Sequence, residues 1–221
     1  MEQFLRAIVD RSQESIEGIS SFVIGINGLD CSGKTSLAIR LHQKYLDMGC
    51  KTGVIHIDDF CDMPTIKSVY GHYHENGSDD ALVLNYYENF VINKDLVNKL
   101  EDYRKKYKFV IVEGIFLFNL IPHNVFDFKI YLDIDETTAF ERYKKRKLIN
   151  GASLPDAIFN DIWLAAHLVY CEAVNPKNLS DVVLHSGKTP HVSSFSNRAE
   201  WLAETLPMGR FLTPFSGFPK R

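Results

Sequence analysis

Five short apolar runs recur along the chain: SFVIGIN (21–27), TGVIHID (52–58), FVIVEGIFLF (109–118), FKIYLDID (128–135) and SDVVLHS (180–186). Each is rich in Val, Ile or Phe and nearly continuous, where a strand with one wet face would alternate. Such runs predict strands buried on both faces, as in a parallel sheet. Between them the apolar spacing lengthens to a helical period. Residues 34–48, KTSLAIRLHQKYLDM, set Leu37, Ile39, Leu41 and Leu46 among polar residues, and Gly49 follows as a stop. Residues 94–107, KDLVNKLEDYRKKY, are amphipathic and end in basic side chains, which suit the negative end of a helix. Residues 136–149, ETTAFERYKKRKLI, run from acids to bases, and Asn150-Gly151 end them. Residues 155–175 predict a longer helix that stops before Pro176. Alternating strands and helices predict a three-layer α/β fold with a five-stranded parallel sheet.

Two regions stand outside this pattern. Residues 61–80, CDMPTIKSVYGHYHENGSDD, are polar and aromatic without a period, which predicts a long functional or mobile loop. After Ser186 comes a short helical piece, NRAEWLAETL, and then PMGRFLTPFSGFPKR. Phe211, Phe215 and Phe218 of this tail are expected to dock on the chain's own body rather than on a partner. SGKT at 186–189 is taken as a turn.

Composition narrows the class. The 221 residues suit one larger domain, and 45% hydrophobic with 24% charged residues is ordinary for a globular protein. A net charge of −3 and a pI near 6.2 give no electrostatic footprint for a nucleic-acid polymer. No apolar run approaches the roughly 20 residues that span a bilayer, and MEQFLRAIVDRSQESIEG has no basic segment followed by an apolar core. The four cysteines, Cys31, Cys50, Cys61 and Cys171, show no CxxC spacing, which suits free thiols and a cytoplasmic location.

The chemistry is concentrated in GLDCSGKTS (28–36). Gly28-x-x-x-x-Gly33-Lys34-Thr35 matches the phosphate-binding loop pattern in full. Glycines let backbone N–H groups curl around phosphate oxygens. The Lys34 ammonium is placed for the β- and γ-phosphates, and the Thr35 hydroxyl for Mg²⁺. The helix that follows directs its positive end at the same anion. Chance supplies this pattern in about one such chain in a hundred. A preceding strand and a following helix make it rarer still. Gly28, Asp30, Cys31, Ser32, Gly33, Lys34, Thr35 and Ser36 are the candidate nucleotide contacts.

Three other features surround that loop. The second run ends in HIDDF, where Asp58 can take a proton from an attacking hydroxyl, or merely cap a turn. The third carries Glu113 in VIVEGIF, an acid placed to complete a Mg²⁺ shell, and Gly114 permits close approach. The helix FERYKKRK places Arg142 and Arg146 on one face, either as a clamp on a phosphate in transfer or as a solvated basic helix end.

Taken in order, GLDCSGKTS, IDDF, VEGIFLF, RYKKRK and EAVNPKNLSDVVL resemble the uridine kinase-like P-loop kinases over roughly residues 20–187. That group includes uridine–cytidine kinases, nicotinamide riboside kinases, phosphoribulokinase and bacterial pantothenate kinases. The resemblance implies ATP and Mg²⁺ as cofactors, a helical lid at about 136–160, and transfer of the γ-phosphate of ATP to a small-molecule hydroxyl. It implies Asp58 as base, Glu113 near Mg²⁺, and Arg142 and Arg146 as lid arginines. It frames residues 1–221 as a single kinase domain with a tail at 187–221. The chain departs from uridine–cytidine kinases at Cys61, where they carry Tyr, and at 150–152, NGA in place of RGR. Their β-hairpin before the EG strand is shortened or absent here. EGIFLFN is closer to the nicotinamide riboside kinases.

Residues 61–90 form the expected substrate wall. Tyr70, His72, Tyr73, His74, Tyr86 and Tyr87 are its candidates for stacking on a ring or bonding a sugar, with simple packing as the alternative for the tyrosines. The acceptor expected first is a nucleoside such as uridine or cytidine. Nicotinamide riboside, pantothenate or another sugar or vitamin are alternatives. A different class, a P-loop ATPase acting on a protein partner, also fits the loop. Oligomeric state stays open, a homo-oligomer included.

Overall fold

A computed structural model describes residues 2–15, 18, 20–150, 154–185 and 191–192. In chain order the elements are helix α1 (Glu2–Ser15), strand β1 (Phe22–Gly28), α2 (Lys34–Asp47), β2 (Thr52–His56), α3 (Met63–Asn76), α4 (Asp80–Asn89) and α5 (Asn93–Lys106). They continue with β3 (Phe109–Gly114), α6 (Leu117–Leu120), β4 (Phe128–Asp133), α7 (Glu136–Asn150), a π-helical stretch (Phe159–Leu164), α8 (Ala165–Val174), α9 (Pro176–Leu179), β5 (Val182–His185) and β6 (His191–Val192). The sheet order is β2-β3-β1-β4-β5-β6. The first five strands are parallel, and β6 adds an antiparallel edge of two residues.

The near-continuous apolar runs are explained by burial on both faces. In β1, Phe22, Ile24 and Ile26 face a cluster with α1, α2 and Tyr45, while Val23 joins the opposite cluster with α4, α5 and α8. All seven residues of β1 are buried. Gly25 admits the Phe126 ring, to which a Cβ at that position would come within 2.8 Å. β1 lies between β3 and β4; the chain leaves it toward β2 on one side and later crosses from β3 to β4 on the other. The carboxyl end of β1 is the switch point where ligands collect in open α/β sheets.

The structure corrects one segment of the expected architecture. Residues 61–80 are largely helical, with α3 over Met63–Asn76. Pro64 opens that helix, and Ile66, Val69, Tyr70 and Tyr73 form a stripe at i, i+3, i+4 and i+7 packed on the core. Gly71 and the intervening histidines obscure that stripe in the sequence. The apolar run at 109–118 also divides: the strand ends at Gly114 and a helical turn follows. The helix expected over 155–175 is present but opens with the π-helical stretch. The SGKT segment and the aromatic tail lie outside the described residues.

One buried histidine makes the fold acid-sensitive. His167 of α8 is 6% exposed, and its Nε2 lies 3.0 Å from the Tyr131 hydroxyl. Burial, followed by the charges of Lys34 and Lys177, pushes its pKa down to about 3 from 6.5. Below pH 6.5 the unfolded chain therefore takes up a proton that the folded chain refuses, so stability falls as pH falls from 6.5 toward 3. By pH 4 this costs about 3 kcal/mol. Denaturant unfolding at pH 7 and pH 4 should show a smaller loss in His167→Gln than in the wild type.

Candidate active site

The phosphate loop joins β1 to α2 at the switch point. Gly28 has φ 151°, and a Cβ there would lie 2.5 Å from the Leu132 carbonyl oxygen of the neighbouring strand. Only glycine permits that close approach. Cys31 (φ 63°) and Gly33 (φ 103°) take left-handed backbone, and Ser32 N–H donates to the Leu29 carbonyl at 3.2 Å. The chain thereby curls and enters α2, whose first-turn N–H groups have no partner within the helix. Those groups and the helix dipole make an anion site. Lys34 is 8% exposed and donates from Nζ to the Leu29 carbonyl at 2.9 Å. The ammonium is held inside the loop's own curve.

A second corner forms where β2 and β3 end. The parallel register pairs His56 with Glu113, so both side chains leave the sheet on one face. Glu113 is 5% exposed, and a carboxylate so buried requires donors. It has two: the Thr35 hydroxyl donates to Oε1 at 2.9 Å, and His56 Nδ1 lies 2.6 Å from the same oxygen. Gly114 permits the tight junction, since a Cβ there would fall 2.5 Å from Ile57 Cβ. By giving its proton to Glu113, Thr35 keeps its oxygen lone pairs free. A hydroxyl and a carboxylate are hard oxygen donors of the kind Mg²⁺ takes alongside phosphates and water. Among the described residues no group of three or more His, Cys, Asp or Glu side chains forms a cage that would hold a metal by itself.

Asp58 supplies the third corner. The strand stops at His56, and Asp58 stands on the 3-10 turn Ile57–Phe60. Asp58 is exposed, with protein atoms and charged groups gathered on one side of it. Partial loss of solvent on that side raises its pKa, the carboxylates of Asp30 and Glu113 raise it further, and Lys34 and Arg146 oppose them. Its charge is felt together with those of Asp30, Lys34 and Glu113, which sets Asp58 in the same region as the loop. Asp59 is exposed.

The two arginines of α7 reach this region. Arg142 donates from Nη1 to the Cys31 and Ser32 carbonyls at 3.2 and 3.3 Å, which fastens the helix over the loop. Arg146 is exposed, and its charge acts on both Cys31 and Asp58. Lys147 instead pairs with Asp156 at 2.7 Å across the segment that follows α7.

Aromatic side chains gather where α3 and α4 meet the π-helical stretch. Trp163 Nε1 donates to the Tyr70 hydroxyl at 3.0 Å, and the buried Tyr86 lies near it. Burial pushes the Tyr70 pKa up to about 12, with Asp30 and Cys61 adding to the rise. The Tyr73 hydroxyl donates to Asp161 at 2.7 Å, and Ser78 to the Asp161 carbonyl at 2.8 Å, so α3 is hooked to the π-helical stretch at several points. Such stretches are common at functional sites. Tyr86 is packed against Phe90, and Tyr87 is packed against Phe116 and Tyr170. For both, the packing alternative describes their place. His72 is exposed on α3.

Two site residues carry no signal in the one-dimensional pattern. His56 becomes visible only through the β2–β3 register. Trp163 faces Tyr70 because the π-helical stretch alters the helical phase. Beside the loop, a recess of about 350 Å³ opens between α8 and the end of β4. It includes Leu29 but none of Lys34, Asp58 or Glu113, so it is a side recess and not the reaction centre.

No family model and no curated protein matches the chain. Solved structures do. A possible uridine kinase from Bacillus stearothermophilus aligns at TM-score 0.53 and 23% identity, covering 83% of this chain and 99% of that one. The YGR205w protein aligns at 0.56 and 13%, covering 83% and 90%. A candidate fructose transport system kinase from Silicibacter sp. TM1040 aligns at 0.50 and 17%, covering 69% and 85%. The fold is that of the P-loop kinases: a parallel five-stranded sheet with flanking helices and the phosphate loop after its central strand.

Proposed function

We propose that the protein is an ATP-dependent small-molecule kinase that moves the γ-phosphate of ATP to a hydroxyl of a nucleoside-like acceptor. Uridine or cytidine is the first acceptor to test; nicotinamide riboside, pantothenate and other sugars or vitamins are the alternatives. The observation that carries this reading is the convergence of three groups at one sheet end: the Lys34 ammonium in its loop, the Thr35–Glu113 corner, and the Asp58 carboxylate. A site built only for nucleotide hydrolysis has no need of the aromatic cluster around Tyr70.

Bound MgATP supplies the transferable phosphoryl group. In this reading the loop N–H groups and Lys34 would hold the phosphates, and Thr35 and Glu113 would hold the Mg²⁺. Arg142 and Arg146 offset charge on the phosphates, and Asp58 accepts the proton that the acceptor hydroxyl loses. Tyr70 faces the acceptor from the α3 side. Positioning and charge neutralisation carry the rate. No helix among the described residues is long and apolar enough to cross a membrane.

ADP release from MgATP, followed with and without a panel of nucleosides and vitamins, tests this reading. The expected result is ADP release that depends on one acceptor class. Release at the same rate without any acceptor would favour the ATPase acting on a protein partner.

A further inference from the structure

The buried Glu113 carboxylate is engaged in an unusual way: both donors reach the same oxygen. Thr35 Oγ1 approaches Oε1 at 2.9 Å and His56 Nδ1 approaches it at 2.6 Å. Each residue comes from a different element, namely α2, β2 and β3. The Glu113 side chain is 6% exposed, while that of His56 is 34% exposed at the rim. A carboxylate fixed by one donor can still rotate about its terminal torsion, which has broad wells. Two donors from different directions on one oxygen remove that freedom. The second oxygen, Oε2, is then held in one orientation.

We propose that His56 is a positioning residue for the metal-nucleotide complex. It fixes the Glu113 carboxylate so that Thr35 must donate its proton to Oε1 and present its lone pairs outward to the divalent cation. This rests on the Mg-nucleotide reading above. Without His56, Glu113 is free to turn, and the Thr35 hydroxyl can rotate its proton toward the cation side. His56 thus acts on the metal through two other side chains. Partners that orient metal-facing groups in this way are worth about 10- to 100-fold in metal affinity.

The test is Mn²⁺ binding, followed by the electron paramagnetic resonance of free Mn²⁺ in the presence of saturating ADP, with metal-free ADP affinity measured alongside by calorimetry. Three proteins are compared: the wild type, His56→Ala and His56→Asn. Asn offers an amide N–H near the place of Nδ1. The expected result is a Mn²⁺ affinity lowered about 10-fold or more in His56→Ala and largely restored in His56→Asn. Metal-free ADP affinity should stay within about twofold across the three, a pattern that general loosening of the site does not produce. Equal Mn²⁺ affinity in wild type and His56→Ala overturns the positioning role while leaving the kinase reading intact. A parallel loss of metal-free ADP binding overturns it too, since His56 would then shape the whole loop. Failure of the wild-type ADP complex to retain Mn²⁺ overturns both.

Discussion

Asp58→Asn should lower turnover about 1000-fold while leaving nucleotide affinity within about twofold. The amide keeps the carboxylate's shape but cannot take a proton. Asp58 stands on the turn after β2, outside the phosphate loop, so the Lys34 and Thr35 contacts persist in the variant. A general base contributes about 10² to 10⁴ to a rate, and the surroundings of Asp58 favour the upper part of that range. Partial loss of solvent and the neighbouring Asp30 and Glu113 raise its pKa above that of an ordinary carboxylate, which makes it a better proton acceptor. The base works only when ionised. Activity is therefore present above the raised pKa and lost as pH falls through it. The wild-type acid limb of kcat/KM should lie above the ordinary Asp value of about 3.9. Steady-state kinetics with calorimetry of ADP binding measure both effects. Turnover that survives in Asp58→Asn removes the carboxylate from the chemistry.

Lys34→Met should lower kcat/KM for ATP by about 10² to 10³, a scale typical for removing one preorganised electrostatic contact. The buried Nζ bonds the Leu29 carbonyl at 2.9 Å, but that carbonyl also accepts from Ser32 N–H at 3.2 Å. The loop therefore keeps one of its internal ties, and methionine fills a similar channel. The loss is then functional rather than structural. An unchanged melting temperature alongside the kinetic defect is the expected pair of results. A drop of several degrees with activity retained per folded molecule would make Lys34 a structural residue.

Sequence and structure agree where the chemistry lies in contiguous residues. Gly28 to Thr35 could be read directly because strand, turn and helix follow one another and each residue type has a local reason. Glu113 was legible because an acid within an apolar strand demands a partner, and that partner is Thr35. Arg142 and Arg146 were legible as a pair on one helix face, although the carbonyls that Arg142 grips were not. His56 was hidden because its role depends on register with β3, a long-range property. α3 was hidden because its apolar stripe of Ile66, Val69, Tyr70 and Tyr73 is interleaved with Gly71 and His72. Tyr86 and Tyr87 are adjacent in sequence, and both rings pack in the core beside Phe116.

In the proposed reading, the choice of acceptor falls to the aromatic side chains around Tyr70 and Trp163 rather than to the loop. A nucleoside kinase and a vitamin kinase can share Lys34, Thr35, Asp58 and Glu113 and differ only there. The possible uridine kinase that shares this fold supplies a first acceptor to try, and its 23% identity leaves the others equally open to assay.

The fate of a labelled γ-phosphate tests the central claim most directly. The protein is incubated with γ-labelled MgATP and the acceptor panel, and the products are separated. The site as described predicts label in a phosphorylated small molecule, formed in step with ADP and abolished by Asp58→Asn. Label recovered only as inorganic phosphate, at a rate that no acceptor changes, would contradict it.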